Sequence, residues 1–494
     1  MRFKTRVTLS VVALLFFTAS AIHLLLAPDS GVLGHRGPFG VGQGHDHGQG
    51  HGQGRRADSP PRDGADPEDQ RPRQGDVAGP PDTGNESQIN VPPLPRIRKT
   101  GQSNPKTKSS KTQRLKQPAW VRGSTFKKAW DDQEVIGSGH PWQQFHRDVH
   151  QDALYRDGAP YMDDLLHDLA TAEIVNVSIF KGGSQVKLDF RLADGNRALV
   201  KPMRSSREMV YQYDSKEPFW LDLERHNAEI ASFHLDSVLG FRRVPPCTGR
   251  LINLTKDVIQ KSNDEELLKT FFRKDGDLCF IGKCAPWFCN ADHPICGRGD
   301  QMEVSLCQFL PSFEGGSPLF ELEYPWSQGI KESRVWKGRN ICLDYLQDPT
   351  WLRGRFLLDL IEQGIFDFFI RNYDRHHFDM LRKYKRLGHV MFLDNGKGFG
   401  NPVTDDATFL APVYQCCKIR RSTYHKLKEL SQPGSLLSDR LRVAMASDPI
   451  APVITEAHLQ ALDRRLVIVL NTIKECIREK GESQVVVDTL DVNL

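Results

Sequence analysis

The stretch Asn372-Tyr373-Asp374-Arg375-His376-His377 follows the strongly apolar segment 355–371, and Asp394-Asn395-Gly396 follows the apolar run 390–393. The first pattern predicts a long buried helix that ends in a polar loop, and the second predicts a short buried strand. Both aspartates would then lie at the mouth of one cleft. There one carboxylate can accept a proton from a hydroxyl while the other holds a divalent metal. Two ordinary turn-forming aspartates are the alternative interpretation.

Three further features precede these aspartates along the chain. Lys181-Gly182-Gly183-Ser184 is a glycine turn whose N–H groups can hold phosphate oxygens, although a plain hairpin turn is the alternative. Lys201 lies at the end of the apolar strand-like run 198–202. Its ammonium group would either point into a cleft or be an ordinary charge on an edge strand. Glu224 lies four residues before Ala228 on the apolar stripe of the helical segment 222–239, so it should face inward. Compensation of the helix dipole would explain it equally well.

The order of these parts predicts the fold. A glycine turn, a strand lysine, a helix glutamate, a loop aspartate and a strand-end aspartate follow one another in protein kinases. Strand-like patterns come first and helical patterns dominate later, which predicts an α+β, atypical bilobal kinase-like fold with a small β-rich lobe and a larger helical lobe. The literal His-Arg-Asp, Asp-Phe-Gly and G-x-G-x-x-G signatures are absent. We expect strands near 185–191, 197–201, 244 onward, 303–310 and 390–393, and helices near 161–171, 222–239, 355–371, 422–430 and 458–480.

Composition divides the 494 residues unevenly. A basic flank followed by the apolar run 7–26 predicts that residues 1–27 are a signal peptide or a signal anchor attached to the membrane. Residues 28–118 are rich in Gly, Pro and His and nearly free of aromatic residues, which predicts a disordered stem that becomes basic toward the domain. Residues 119–494 contain all eight Trp and predict one folded domain in the Golgi or ER lumen, with secretion after cleavage as an option. A net charge of +4 gives no case for nucleic-acid binding.

A lumenal location also determines how the ten cysteines are interpreted. In an oxidising compartment an even set of disulfides is favoured. The spacing of Cys279, Cys284, Cys289 and Cys296 does not match a zinc ribbon or finger. Three N-glycosylation sequons fit the same compartment, at Asn85, Asn176 and Asn253.

Several multi-residue motifs carry a resemblance to a known family. The chain resembles the secretory-pathway kinases typified by the Golgi casein kinase, over about residues 142–491. The family also contains the glycosaminoglycan xylosylkinase. The resemblance implies an atypical kinase that uses ATP and prefers Mn²⁺, with Mg²⁺ as an alternative. The motifs are Ala198-Leu199-Val200-Lys201-Pro202, the run 224–236, Asp374-Arg375-His376-His377, the run 394–400 and Tyr414-Gln415-Cys416-Cys417.

The resemblance also implies a role for each matching site residue. Asp374 would be the catalytic base, and Glu224 and Asp394 would hold the metal. A family pseudokinase carries Gln at the position of Glu224, so the glutamate favours an active enzyme. The nucleotide site would comprise Gln185, Lys187, Lys201, Asp394 and the hinge residues Cys307, Gln308, Phe309 and Leu310.

Carried over by position, the family's disulfides pair Cys279 with Cys296, Cys284 with Cys289, Cys342 with Cys416, and Cys417 with Cys476. Cys247 and Cys307 have no counterpart in that pattern. They fall on what would be neighbouring strands of the small lobe. A fifth disulfide between them is a hypothesis.

Two acceptors compete within the family: Ser in Ser-x-Glu sequences of secreted proteins, and a xylose of the proteoglycan linkage region. Local motifs, among them Lys201-Pro202-Met203, favour the protein kinase, whereas the stretch 315–347 matches neither branch. A catalytically silent partner of an active relative is a third interpretation, and the complete set of site residues argues against it. We also expect pairing with a second copy or with a family paralogue.

Overall fold

A computed structural model describes residues 139–212, 222–311, 317–348 and 355–488. The proposed signal segment, the stem, Asn85 and the start of the predicted domain lie outside the described residues. Within them, no helix combines the length and the apolar character that a membrane crossing requires.

A five-stranded antiparallel sheet forms the first lobe, with β1 (Ile174–Ile179), β2 (Leu188–Leu192), β3 (Arg197–Pro202), β4 (Cys247–Asn253) and β8 (Gln301–Gln308) in the order β1-β2-β3-β8-β4. The β2–β3 hairpin turns at Gly195, where φ is +84°. The glycine turn at 181–184 joins β1 to β2, and Gly183 has φ +78°. Strands β2, β3, β4 and β8 begin within three residues of their predicted starts, whereas β1 had no predicted bounds.

Helices α1 (Pro141–Asp148) and α2 (Met162–Thr171) precede the sheet, and α3 (His226–Leu239) packs against it. The prediction that helix α3 begins at residue 222 was wrong. The backbone of Arg225 is extended, with φ −108° and ψ 121°, so Glu224 precedes the helix and does not compensate its dipole. Gly240 ends the helix in the left-handed conformation, as its position suggested.

A small disulfide-bonded insertion separates β4 from β8. It contains a short π-helix (Leu254–Ile259), α4 (Glu265–Leu268) and a sheet of β5 (Phe271–Lys274), β6 (Asp277–Phe280) and β7 (Ile295–Cys296). We call residues 271–296 the knob. Two disulfides close it, Cys279–Cys296 and Cys284–Cys289.

Helix α7 (Phe356–Ile370) is the centre of the helical second lobe, and all of its residues are buried. A three-stranded sheet of β9 (Leu319–Glu323), β10 (His377–Leu381) and β11 (Val390–Met391) lies beside it in the order β11-β10-β9. The remaining elements are α5 (Ile330–Gly338), α6 (Cys342–Tyr345), α8 (Ala411–Cys416), β12 (Ile419–Arg420), α9 (Arg421–Glu429), α10 (Leu437–Ala444), α11 (Glu456–Lys480), α12 (Glu482–Val485), β13 (Val486–Val487) and the 3₁₀ turns Lys385–Leu387 and Ala407–Leu410. This arrangement confirms the predicted α+β bilobal fold.

Five disulfides occur in the described residues. Four have the pairing that the family resemblance implied, including Cys342–Cys416 and Cys417–Cys476 in the second lobe. The fifth joins Cys247 to Cys307, which face each other directly across β4 and β8.

Candidate active site

The ammonium group of Lys201 is the centre of the cleft between the lobes. Its Nζ lies 2.8 Å from Glu224 Oε2, 2.5 Å from Glu229 Oε1 and 2.7 Å from Asp394 Oδ1. Burial acts against the charged form of Lys201. The carboxylates of Asp394, Glu224 and Glu229 outweigh that effect and raise the pKa of Lys201 well above its ordinary value.

Backbone and side-chain contacts hold Glu224 in this cluster although it is not helical. Its backbone N–H donates to Gln185 Oε1 at 3.0 Å, and Gln185 Nε2 donates to the carbonyl of Asp222 at 2.9 Å. Gln185 therefore supports the segment that carries Glu224. It is not among the residues that line the cavity described below, and its place in the nucleotide site stays a prediction.

Asp394 is held from both sides of the cleft. Lys187 Nζ lies 3.3 Å from its Oδ2, and the next residue, Asn395, donates its backbone N–H to Glu229 Oε1 at 3.0 Å. Surrounding protein acts against ionisation of Asp394, but Lys187 and Lys201 hold its pKa well below the ordinary value. Asp394 is therefore an anion at neutral pH, as a metal ligand must be.

The donor set suits a divalent cation that is shared with phosphates. Oxygens of Glu224 and Asp394 converge on a single cationic nitrogen, and a methyl group at Gly396 would lie 3.0 Å from that nitrogen. No cluster of three or more His, Cys, Asp or Glu side chains arranged for a metal occurs in the described part of the chain. Two hard carboxylates fit Mn²⁺ or Mg²⁺, which take their other ligands from substrate phosphates and water.

Asp374 lies in a loop that starts where helix α7 ends. Arg371 terminates the helix in the left-handed conformation, and the backbone N–H of Asp374 donates to Asn372 Oδ1 at 3.1 Å. Asn372 Nδ2 donates in turn to the carbonyl of Asp394 at 3.1 Å, so one amide side chain connects the two aspartate loops. Lys397 Nζ lies 3.0 Å from Asp374 Oδ2.

Arg375 is a second connection between these loops. Its guanidinium binds both carboxylate oxygens of Asp367 in helix α7, donates to Asn395 Oδ1 at 2.7 Å and contacts the carbonyl of Leu393. Of the two neighbouring histidines, His376 is 62% exposed and His377 lies near Glu321. Neither belongs to a metal cluster.

A cavity of about 450 Å³ opens beside Lys201 between the two lobes. Its walls include Lys187, Lys201 and Asp394 and all four predicted hinge residues, Cys307, Gln308, Phe309 and Leu310. The ring of Phe309 lies 4.5 Å beneath the guanidinium of Arg197. An apolar wall next to a cationic end is the arrangement that a nucleotide's base and phosphates require.

The sequence interpretation missed several polar residues of the cleft. Glu229 shares Lys201 with Glu224, and Asp379 lines the cavity. Burial and the nearby Glu321 raise the pKa of Asp379 to about 6, with Arg375 opposing. Glu229 lies five residues after Glu224 in the first turn of helix α3, and a second acid so soon after a candidate metal ligand was a usable signal. Nothing in the local sequence points to Asp379.

The two lobes, the buried lysine–carboxylate cluster and the aspartate loop define a kinase-like class of protein. The chain belongs to the Fam20 family: the family profile described as "Golgi casein kinase, C-terminal, Fam20" matches residues 140–485. This confirms the resemblance to that family.

Curated relatives of the chain include both active kinases and a pseudokinase. It is 37% identical over 361 residues to the human extracellular serine/threonine protein kinase FAM20C, covering 72% of this chain and 61% of that protein. It is 38% identical to the zebrafish (Danio rerio) glycosaminoglycan xylosylkinase, covering 70% and 83%. It is 36% identical to the mouse pseudokinase FAM20A, covering 70% and 67%. The chain thus spans about three fifths of the length of the human kinase.

Two solved structures share the fold. A crystal structure of the Golgi casein kinase with Mn/ADP bound superposes with a TM-score of 0.68 at 34% identity, covering 72% of this chain and 86% of that one. The structure of hydra Fam20 with sugar gives a TM-score of 0.66 at 36% identity, covering 71% and 99%.

Proposed function

We propose that this chain is a secretory-pathway protein kinase that transfers the γ-phosphoryl group of ATP to Ser in Ser-x-Glu sequences of secreted proteins. The observation that carries the proposal is the cluster of Lys201 with Glu224, Glu229 and Asp394 at one end of a nucleotide-sized cavity. Membership of the Fam20 family and the Mn/ADP ligands named for a structural relative support it.

The proposed mechanism divides the work among the residues of the cleft. Lys201 and Lys187 would bind the phosphates of ATP, and the hinge residues 307–310 would hold the base. Glu224 and Asp394 would hold Mn²⁺ or Mg²⁺, which supplies charge neutralisation at the phosphates when bound. Asp374 would accept the proton of the acceptor hydroxyl as its oxygen attacks the γ-phosphorus, with ADP as the leaving group.

Two alternatives remain specific enough to test. A xylose acceptor is supported by the 38% identity to the zebrafish xylosylkinase, which is close to the 37% identity to the human protein kinase. A silent partner is supported by similarity to the pseudokinase FAM20A. Against the silent partner stands Glu224, whose carboxylate is present and placed beside Lys201.

We also propose the domain plan and location that the sequence suggests. Residues 1–27 would target the chain to the secretory pathway or anchor it in the membrane, 28–118 would be a stem, and 119–494 the lumenal kinase domain. Action in the Golgi lumen or after secretion, glycosylation at Asn85, Asn176 and Asn253, and pairing with a second copy or a paralogue belong to the same proposal.

One assay tests the proposed activity and its acceptor. The purified protein is incubated with ATP and Mn²⁺ and offered a Ser-x-Glu peptide and a galactose–xylose acceptor in parallel. We expect peptide labelling, lower labelling of a Ser-x-Gln peptide, and a fall of about 10²–10⁴-fold for Asp374→Ala. Asp157→Ala, at a side chain that is 93% exposed, is the matched control.

Each outcome of the assay has a defined meaning. Labelling of the sugar alone would reject the protein-kinase proposal in favour of a xylosylkinase. No labelling of either acceptor would favour the silent partner. Activity that survives in Asp374→Ala would reject the assigned base.

A further inference from the structure

Lys397 is a buried lysine in direct contact with the proposed base. Its side chain is only 4% exposed, and its Nζ lies 3.0 Å from Asp374 Oδ2. The residue follows Asp394 by three positions, so it comes from the second aspartate loop although it contacts the first. Burying an ammonium group is costly unless it is paired, which makes a position of this kind unlike an ordinary surface lysine.

The knob also contacts Lys397. The ring centroid of Phe288 lies 5.9 Å from Lys397 Nζ, within the range of a cation–π contact. Phe288 is itself 3% exposed, and its carbonyl accepts a hydrogen bond from Arg204 Nη2 at 2.9 Å. The ammonium group therefore contacts both a buried aromatic ring and the Asp374 carboxylate.

The charges on the nucleotide side of the cleft leave a role for another cation. Lys187 and Lys201 both contact Asp394, and Lys201 also contacts Glu224 and Glu229. Three carboxylates thus face two ammonium groups before any phosphate binds. The transferring phosphoryl group must lie between this cluster and Asp374, since the acceptor oxygen must be close to both the base and the phosphorus.

We propose that Lys397 is a positioning residue for Asp374 and the cation that contacts the γ-phosphoryl group from the acceptor side. This inference rests on the proposed function. Lys397 holds Oδ2 of Asp374, so Oδ1, which has His376 Nδ1 3.7 Å away, is the oxygen that accepts the hydroxyl proton. As the bond from the acceptor oxygen to phosphorus forms and the bond to the β-phosphate oxygen breaks, the proton moves to Asp374 and ADP leaves. Lys397 keeps its own protons and stabilises the charge on the transferred group.

A binding experiment tests the phosphate contact without requiring activity. The affinities of ADP and of the non-hydrolysable analogue AMP-PNP are measured with Mn²⁺ by calorimetry for the full chain and its variants. Only AMP-PNP carries a group at the γ position. We expect Lys397→Met to weaken AMP-PNP about tenfold and to change ADP by less than about twofold, and Lys397→Arg to restore most of the loss.

Lys283→Met is the matched control, because it removes a knob lysine that is 62% exposed and pairs with Glu266 at the surface. It should leave both affinities unchanged. If Lys397→Met weakened the binding of both nucleotides equally, Lys397 would have a structural role only. If the affinity for AMP-PNP did not fall, Lys397 would not contact the γ-phosphoryl group. Either result overturns the inference. Failure of the unmodified protein to bind either nucleotide would overturn the proposed function together with it.

Turnover gives a second, independent measurement. We expect Lys397→Met to lower kcat by about 10²–10³-fold and to raise KM for ATP by no more than the roughly tenfold loss of AMP-PNP affinity. Its melting temperature should match that of the Lys283→Met control. A rise in KM with unchanged kcat would contradict the inference. A protein that binds AMP-PNP in the expected pattern but phosphorylates neither acceptor would support Lys397 as a phosphate ligand and reject the proposed activity.

Discussion

Lys201 shows how strongly one buried charge depends on its neighbours. Its side chain is 5% exposed, and three carboxylates contact it: Glu224 just before helix α3, Glu229 in the first turn of that helix, and Asp394 from the second lobe. Removing one carboxylate leaves two, so the ammonium stays paired. The consequence of each substitution should then reflect what else that carboxylate does. Glu224 is proposed to hold the metal, whereas Glu229 also accepts the N–H of Asn395.

Glu224→Gln should therefore weaken metal binding more than it lowers the stability of the fold. We expect the Mn²⁺ concentration for half-maximal ADP binding to rise by about 10- to 100-fold, because a neutral amide replaces one of two carboxylate ligands. Titration of Mn²⁺ at fixed ADP measures this. Glu265→Gln is the control, at a side chain that is 80% exposed. An unchanged Mn²⁺ requirement would remove Glu224 from the metal site.

Asp379 should make the stability of the nucleotide-free protein depend on pH. Its pKa of about 6 lies above the ordinary 3.8, so the folded state bears the cost of ionisation fully above pH 6 and not below about pH 3.8. His377, Glu321, Arg375 and Asp394 are the charged or titratable groups around it. We expect Asp379→Asn to stabilise the nucleotide-free protein by about 2 kcal/mol at pH 7.5 and much less at pH 4. Urea unfolding at both pH values measures it, and an equal effect at both would contradict the assignment.

Two residues with an unusual backbone lie just after helix α7 and three residues after strand β11. Arg371 has φ +59° and Asp394 has φ +55°, although neither is glycine. Such conformations cost about 1 kcal/mol or more for most residues and persist where surrounding contacts enforce them. Asn372 and Arg375 provide those contacts between the two loops. The backbone conformations of Arg371 and Asp394 thus direct both Asp374 and Asp394 into the cleft.

The β4–β8 pair carries the disulfide that the family pattern lacks. Cys247–Cys307 closes a sequence separation of 60 residues, and Cys307 lines the nucleotide cavity. Replacing both cysteines by serine should lower the melting temperature and raise KM for ATP severalfold, because the strand that carries the hinge loses its cross-link.

The second-lobe disulfide Cys417–Cys476 is a matched comparison. Its sequence separation is 59 residues, so the loss of chain constraint is nearly equal. The corresponding double serine variant should lose similar stability and keep its KM for ATP. Equal KM values in the two variants would show that Cys247–Cys307 has no role in the nucleotide site.

A buried charge network joins the two lobes of the domain. Arg243, which follows helix α3, contacts Asp359 and Glu362 of helix α7 at 3.0 and 2.6 Å. Arg355 also contacts Asp359, and Arg420 contacts both acids. Although burial acts against ionisation, Arg243, Arg355 and Arg420 lower the pKa of Asp359 below its ordinary range.

Asp359→Asn should consequently destabilise the whole domain by about 3–5 kcal/mol near neutral pH, because three arginines would lose a buried anion. A lowered pKa in the folded state contributes stability above the unfolded value near 4, and this contribution is lost as the pH falls through the folded pKa. The difference between variant and unmodified protein should shrink below pH 4. Chemical denaturation measures it, with Asp344→Asn at a 59% exposed side chain as the control. A decrease in the free energy of unfolding of less than about 1 kcal/mol would contradict the stabilising role of the charge network.

Local sequence patterns placed the strands and helices that they predicted to within about four residues at each end. They did not predict the sheet of the knob, strands β9 and β10, or helices α1, α5 and α6. Periodicity placed helix α7 within one residue at each end, and alternation placed the β2–β3 hairpin, because both signals depend on residues close together in the chain. Helix α3 was predicted four residues too long, since Gln185 holds residues 222–224 in an extended conformation. These two hydrogen bonds join segments about 40 residues apart, so no local sequence pattern contains them.

The chemistry of the site was partly readable in the same way. Lys201, Glu224, Asp374 and Asp394 were identifiable as residue types in a recognisable order, and the five cysteine pairs had a pattern or a hypothesis behind them. The positions of Glu229, Asp379 and Lys397 in the cleft were decided by tertiary packing. Lys201 and Asp394 are 193 residues apart, and only the closing of the two lobes brings their charges within 2.7 Å. Charge pairing at such separations depends on the folded geometry, because the free energy of a contact is set by distance and burial rather than by position in the chain.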